Sequence, residues 1–350
     1  MTYWAMYLLA ALAATFPLKS DLNLRFFLLL LLGVGYVLLI GLRYEVGGDW
    51  DNYLLIYNSV ASLPSDMLDI AFEASGDYAY VLVEIIMIKL GWGIYGVNLV
   101  CGALFVSGVF ALARRQPLPW VAIVVVVPYL LVVVAMGYTR QSAALGLICW
   151  GLAVLSKERV GSYVVIVLLA ALFHKTAVLM LPFAFLVVEY KKNIILYLMI
   201  AFSSVVLVGV FLQVYYEVFM ERYIASKVSS DGGPIRVVMN VMASLMMFLV
   251  WWRWKSRYED YRVWFWMAVL SMLCLVVVPF ASTAVDRVAL YLAPLQLVVY
   301  SRLPVLVSSM MLRSLVVVSI ILVYAMVLFV WLTFGNYSSY WLPYKNILWS

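Results

Sequence analysis

Arg43, Arg140, Arg236 and Arg287 each fall at the end of a different apolar run, and His174, the one histidine in 350 residues, falls between two more. A guanidinium presents a planar fork of donors that grips two phosphate oxygens at once. Four of them in one cleft would hold a doubly charged anion such as pyrophosphate. The plainer reading is that each arginine snorkels to an interface or caps its own helix, but anchoring alone gives no reason for arginine at all four ends. The stretch 43–78 is acidic, with Glu45, Asp49, Asp51, Asp66, Asp69, Glu73 and Asp77. Gly47-Gly48 just ahead of Asp49 permits a tight turn that would aim this carboxylate back at the membrane face. The later acids read as a solvated loop. Beside Asp49, Trp50 and Tyr53 would stack on sugar rings or anchor at lipid headgroups. A neutral imidazole at His174 would shuttle a proton, or simply hydrogen-bond locally.

The elements that must position these groups lie in lipid. Hydrophobic residues make up 67% of the chain and charged residues 11%, with a mean hydropathy of +1.06. A soluble domain needs about a quarter of its residues charged. The composition therefore predicts an all-α integral membrane protein, a single polytopic domain over 1–350. Runs long enough to cross a bilayer lie at about 2–18, 24–42, 93–113, 118–136, 140–156, 193–212, 235–252, 263–281, 285–301 and 313–334. The stretch 160–189 is too long for one helix and is interrupted by His174-Lys175, so it reads as two short helices of about 14 residues, each about 21 Å long. That makes about twelve spans.

Twelve spans place Lys19 and Arg25, Arg114 and Arg115, Lys157 and Arg159, Lys191 and Lys192, the group from Arg253 to Arg262, and Arg302 and Arg313 all on one side. Short loops rich in arginine and lysine mark the cytoplasmic side. Both termini then lie outside, on the periplasmic face, with outer loops at 43–92 and 213–234. Residues 78–90 become an outer-surface or re-entrant helix. The first eighteen residues lack the positive start and cleavage site of a signal peptide and read as a retained span.

Several functions drop out. The net charge of +6 comes from scattered basic residues with no aromatic-interleaved patch, which excludes nucleic acid. Cys101, Cys149 and Cys274 sit inside apolar runs without ligand or disulfide spacing and read as small buried hydrophobes. Zinc has no histidine pair to hold it. Gly91-Trp92-Gly93-Ile94-Tyr95-Gly96 matches G-x-G-x-x-G, yet no strand precedes it, so close helix contact explains the glycines instead.

The stretch Arg43-Tyr44-Glu45-Val46-Gly47-Gly48-Asp49-Trp50-Asp51-Asn52-Tyr53 resembles the first-loop signature of the EpsG family, which belongs with Wzy-type O-antigen and exopolysaccharide polymerases. Arg140-Gln141-Ser142-Ala143-Ala144 resembles that family's Arg-Gln segment, and Phe173-His174-Lys175-Thr176-Ala177 its Phe-His-Lys-Ser motif. Arg287 with Tyr291, and the tail Trp341-Leu342-Pro343-Tyr344, are similar to the late part of the pattern. Gly48 departs from a commoner threonine and Thr176 from serine.

The resemblance implies a GT-C-like helical enzyme in the bacterial inner (cytoplasmic) membrane. Its substrates would be undecaprenyl-pyrophosphate-linked oligosaccharide repeat units, joined at the outer leaflet as undecaprenyl pyrophosphate leaves. No cofactor, metal or nucleotide sugar is implied; the implied partners besides membrane lipids are a chain-length regulator and a flippase. The bottom-up reading assigns Arg140, Arg236 and Arg287 to pyrophosphate, and Arg43 to that cluster or to holding Asp49. Asp49 and His174 are the candidate bases, with Trp50, Tyr53, Gln141 and Tyr291 against the substrate. Gly232-Gly233-Pro234 bends the second loop just before Arg236. Rival functions are an O-antigen ligase, for which the loop 213–234 is modest, and a flippase or transporter, for which a convincing internal repeat is missing.

Overall fold

The architecture is taken from a computed structural model, which describes residues 1–15, 22–64, 67–156, 158–187 and 232–349, with scattered positions between 194 and 209. The expected span at 193–212, nearly all of the loop at 213–234, and the basic residues Lys19, Lys157, Lys191, Lys192, Arg222 and Lys227 lie outside the described residues, wholly or in large part. Among the described residues the regular structure is helical, apart from one isolated antiparallel bridge between Arg43 and Asn346.

The N-terminal half contains α1 (Thr2–Thr15), α2 (Leu22–Gly41), α3 (Trp50–Ser62), α4 (Leu68–Ser75), α5 (Tyr78–Leu90), α6 (Gly93–Arg114), α7 (Pro119–Gly137), α8 (Thr139–Val154) and α9 (Val160–Phe173). A 3₁₀ segment, Lys175–Leu186, follows His174. After it come α10 (Gly233–Leu249), α11 (Trp251–Arg257), α12 (Tyr261–Val277), α13 (Ser282–Leu292), α14 (Pro294–Arg302) and α15 (Met310–Phe334).

Four helices are long and apolar enough to cross a membrane: Asn23–Gly41 within α2, α6, α7 and α15. Two bent pairs, α10 with α11 at 80° and α13 with Pro294–Leu306 at 44°, raise the number to six among the described residues. The chain is a multi-pass membrane protein. Several expected spans are shorter than composition suggests. Residues 140–156 form the 16-residue α8, and 263–281 the 17-residue α12. The run 285–301 breaks at Ala293-Pro294, where proline cannot donate to the preceding turn. The chain does divide at His174, as its sequence suggests, but only the first half is α-helical. A 12-residue 3₁₀ segment rises about 2.0 Å per residue and so reaches about 24 Å, further than an α-helix of equal length.

Close backbone packing joins α6 to α8. A Cβ on Gly108 would run into the Gly146 carbonyl, and one on Gly146 into the backbone at Leu104 and Phe105. Small residues permit this approach where lipid offers no hydrophobic drive. α7 carries a π-helical stretch, Val127–Val134, around Pro128, and its inner carbonyl at Val132 accepts 2.8 Å from Trp341 Nε1. Trp341 in turn anchors the C-terminal tail. Tyr3 donates to its carbonyl at 2.8 Å, and the tail pairs with the first loop through Tyr44 N to Lys345 O and Gly47 N to Tyr340 O. Both ends of the described chain therefore lie at the end of the bundle that carries Arg43.

A second polar cluster marks the opposite end of α6. Arg302 grips Asp260 with two bonds of 2.7 Å and Gln116 with one of 2.8 Å. Its guanidinium lies 4.1 Å from the Tyr258 ring centroid. Asn98, beside Arg43, and Gln116 are separated by 18 residues, about 27 Å of helix. Arg302 looks like a simple topology signal in the sequence, but it is a buried clamp between α12, α14 and the end of α6.

Candidate active site

Arg43 closes the first loop from within. The residue is 1% exposed and all three guanidinium nitrogens donate: Nε to Val46 O at 3.2 Å, one terminal nitrogen to Ile40 O at 2.5 Å, the other to Asn98 Oδ1 at 3.2 Å and Thr139 Oγ1 at 2.9 Å. It ties α2, α6 and the start of α8 together under the turn that precedes Asp49. Gly47 has φ +110°, and a Cβ there would strike the Met136 carbonyl, so glycine is required. At Gly48 a Cβ would make only ordinary contact with Trp341, 3.8 Å away, so the turn leaves room for a larger residue.

Trp50 and Tyr53 are buried rather than open to a sugar. Trp50 packs on Tyr44 and Tyr95 below Arg43, and Tyr53 on Tyr80. An aromatic residue beside an acid reads the same way in sequence whether it faces ligand or core. Here the core wins, and Tyr53 instead supports Arg140, whose guanidinium lies 5.7 Å from its ring and 5.8 Å from that of Tyr80.

Arg140 opens α8 with its side chain 27% exposed and pairs with Asp77 at 2.9 Å. Asp77 is 3% exposed at the N-cap of α5, just after Gly76 ends α4 in the left-handed region. Asp49, at the N-cap of α3, also feels the charge of Arg140. Burial nevertheless holds its carboxyl above the usual range, with Arg140 only partly offsetting it.

His174 breaks the chain between α9 and the 3₁₀ segment. Its Nε2 meets Gln141 Nε2 at 3.2 Å, and its Nδ1 meets Thr176 Oγ1 at 2.5 Å and the Tyr291 hydroxyl at 3.4 Å. An amide NH2 can only donate, so Nε2 accepts from Gln141 and Nδ1 carries the proton. Burial, and then the charges of Arg287, Arg140 and Lys175, push the imidazole down to about 3. It is neutral and a weak proton acceptor at neutral pH.

Arg287, on α13 four residues before Tyr291, completes the group. It is half-buried and makes no hydrogen bond or ion pair within the described residues. Arg236 is different: it is 4% exposed, paired with Asp286 at 2.6 Å and set 4.9 Å from the Tyr129 ring. The expected group of four guanidiniums thus separates. Arg140 and Arg287, with Lys175, surround His174; Arg236 is locked to Asp286, and Arg43 stands inside the fold.

Sequence reading missed Lys175 and Thr176 as site residues, although both lie in the motif that flagged His174. Asp77 was passed over as one of seven acids; its place between Gly76 and a long apolar run was the available signal. Glu84, one turn beyond Tyr80, is 0% exposed, and neither carboxyl oxygen has a well-formed hydrogen bond among the described residues. Burial raises it to about 8. Among the described residues no group of His, Cys, Asp and Glu is arranged to hold a metal ion. An apolar groove of about 670 Å³ between α1 and α2, lined by residues such as Leu9, Leu28, Tyr36 and Trp120, contains none of these charged groups.

Residues 26–346 match the EpsG family, nearly the whole chain. No curated protein and no solved structure matches it.

Proposed function

This chain belongs to the EpsG family, and from that premise we propose that it is a membrane glycosyltransferase that polymerises polysaccharide repeat units. The substrates are oligosaccharides carried on undecaprenyl pyrophosphate at the outer face of the cytoplasmic membrane. The observation that carries this reading is the grouping of Arg140, Lys175 and Arg287 around a neutral His174, with Arg287 making no hydrogen bond within the described residues. An unspent guanidinium in a partly buried site suits an anionic ligand.

A hydroxyl of the acceptor sugar attacks the anomeric carbon of the donor. The new C–O bond forms as the bond to pyrophosphate breaks, and the electron pair leaves with the pyrophosphate. Arg287, Arg140 and Lys175 stabilise the charge that develops there, where preorganised donors act most strongly. Asp49 takes the hydroxyl proton, because burial raises its basicity while that of His174 is suppressed. His174, held by Gln141, Thr176 and Tyr291, acts as a fixed hydrogen-bonding group. Arg43 and Arg236 set the geometry of the loop and of α13. Metal-independent chemistry, both termini outside and about twelve spans complete the proposal.

The lipid-linked glycans that accumulate in a deletion strain test it. Single repeat units on undecaprenyl pyrophosphate at the outer face are expected. Polymer left unattached to its final acceptor would indicate a ligase, and units trapped on the cytoplasmic face a flippase.

A further inference from the structure

We propose that Asp77 is a positioning residue that holds Arg140 and Lys175 at the angle needed to receive the leaving pyrophosphate, an assignment that rests on the polymerase reading. Asp77 lies at the N-cap of α5, while Arg140 starts α8 and Lys175 starts the 3₁₀ segment. One carboxylate therefore links three elements. Asp77 Oδ2 contacts a single nitrogen of Arg140 at 2.9 Å and the Tyr53 hydroxyl takes a second contact, so neither partner occupies the whole five-donor fork and N–H groups remain for phosphate oxygens. Lys175 approaches the same carboxyl from another segment, with its Nζ 3.8 Å from where a Cβ on Gly76 would lie. The rings of Tyr53 and Tyr80 support Arg140 from below. Asp77 is too buried to meet a sugar itself.

The pairing has a definite sign. A buried carboxylate beside two cations lowers the net charge of the site, so it does not strengthen ground-state anion binding. Its contribution is orientation, and misplacing a catalytic group by about 1 Å costs about a hundredfold in rate. Removing Asp77 should therefore lower turnover without weakening the hold on pyrophosphate. A residue that served only to support the fold would lower the amount of folded protein and leave both constants unchanged for the folded fraction.

Purified full-length protein carrying Asp77→Asn, Arg140→Lys or both is compared with wild type, at matched monodisperse fractions, on lipid-linked repeat units. Binding of farnesyl pyrophosphate is measured in parallel. Asp77→Asn is expected to lower kcat about ten- to a hundredfold with KM unchanged or reduced, and to bind farnesyl pyrophosphate at least as tightly as wild type. In the Arg140→Lys background, Asp77→Asn should cost less than it does in wild type, because only Lys175 is left for the carboxylate to place. Asp77→Glu keeps the charge but lengthens the arm; it should fold and show a smaller drop in kcat, which carries the test if the asparagine variant does not fold. Wild-type kcat in folded Asp77→Asn, or independent losses in the double variant, overturns the assignment. A wild-type protein that binds farnesyl pyrophosphate in an Arg140-dependent way but makes no polymer overturns the polymerase reading instead, and with it the role of Asp77 in turnover.

Discussion

Replacing Arg287 with lysine should separate a guanidinium that serves chemistry from one that serves the fold. Arg287 is half-buried and makes no hydrogen bond or ion pair within the described residues, so Arg287→Lys strands no acceptor among them. Its effect on stability should stay within about 0.5 kcal/mol. Lysine keeps the charge but loses the two-pronged grip, and one charge-assisted contact is worth about 1.5–3 kcal/mol. If that contact is made mainly in the transition state, turnover falls about tenfold to over a hundredfold. Arg43→Lys supplies the contrast. Thr139 Oγ1, Asn98 Oδ1 and the carbonyls of Val46 and Ile40 all accept from Arg43, only Asn98 having a second donor in Thr139, and each acceptor left bare costs about 1–3 kcal/mol. That variant should lose thermal stability in detergent, with activity falling in step with the folded fraction. Ladder formation from lipid-linked repeat units, alongside a melting curve, reads both. Full turnover in Arg287→Lys at equal folded protein would refute the anion-binding role.

Three further outcomes follow from the same geometry. Asp49→Asn should cut polymer formation by about 10²–10⁴-fold and remove the acidic limb of the pH–rate profile, whereas His174→Gln should retain activity; the wild-type profile should show no break near pH 6.5, because His174 is already neutral there. The reverse pattern would make histidine the proton acceptor. Glu84→Gln should raise stability at pH 7. With a folded pKa of about 8, above its unfolded value, Glu84 contributes stability at low pH that is lost progressively as pH rises towards 8, on the order of a few kcal/mol, so the variant should melt with a flatter pH dependence. Topology reporters fused at Ser256 and Ser350 should report opposite sides of the membrane, and a cytoplasmic reading at Ser350 would break the twelve-span arrangement.

Composition alone made the class of the protein plain, because lipid is the only solvent for so apolar a chain. The division at His174 was visible as a charged pair inside a long apolar run. What periodicity could not show was that the second half winds as a 3₁₀ segment, since a uniformly apolar stretch has no polar face to set its pitch. The four arginines stood out by type and position, but their partners lie far away in the chain. Arg43 meets Asn98 and Thr139, 55 and 96 residues on, and Arg236 meets Asp286, 50 residues on. Which guanidinium is spent and which is free depends on those long-range pairs. The same holds for Trp50 and Tyr53, whose neighbours Tyr95 and Tyr80 cover the faces that the sequence offered to sugar.

The central claim is that this chain alone joins lipid-pyrophosphate-linked repeat units. Protein purified into lipid vesicles, given a defined repeat unit on an isoprenyl pyrophosphate and no other sugar donor, tests it most directly. A ladder of products spaced by one repeat unit is expected, with one lipid pyrophosphate released for each bond formed. Unchanged substrate, or transfer only to a different acceptor, would contradict it.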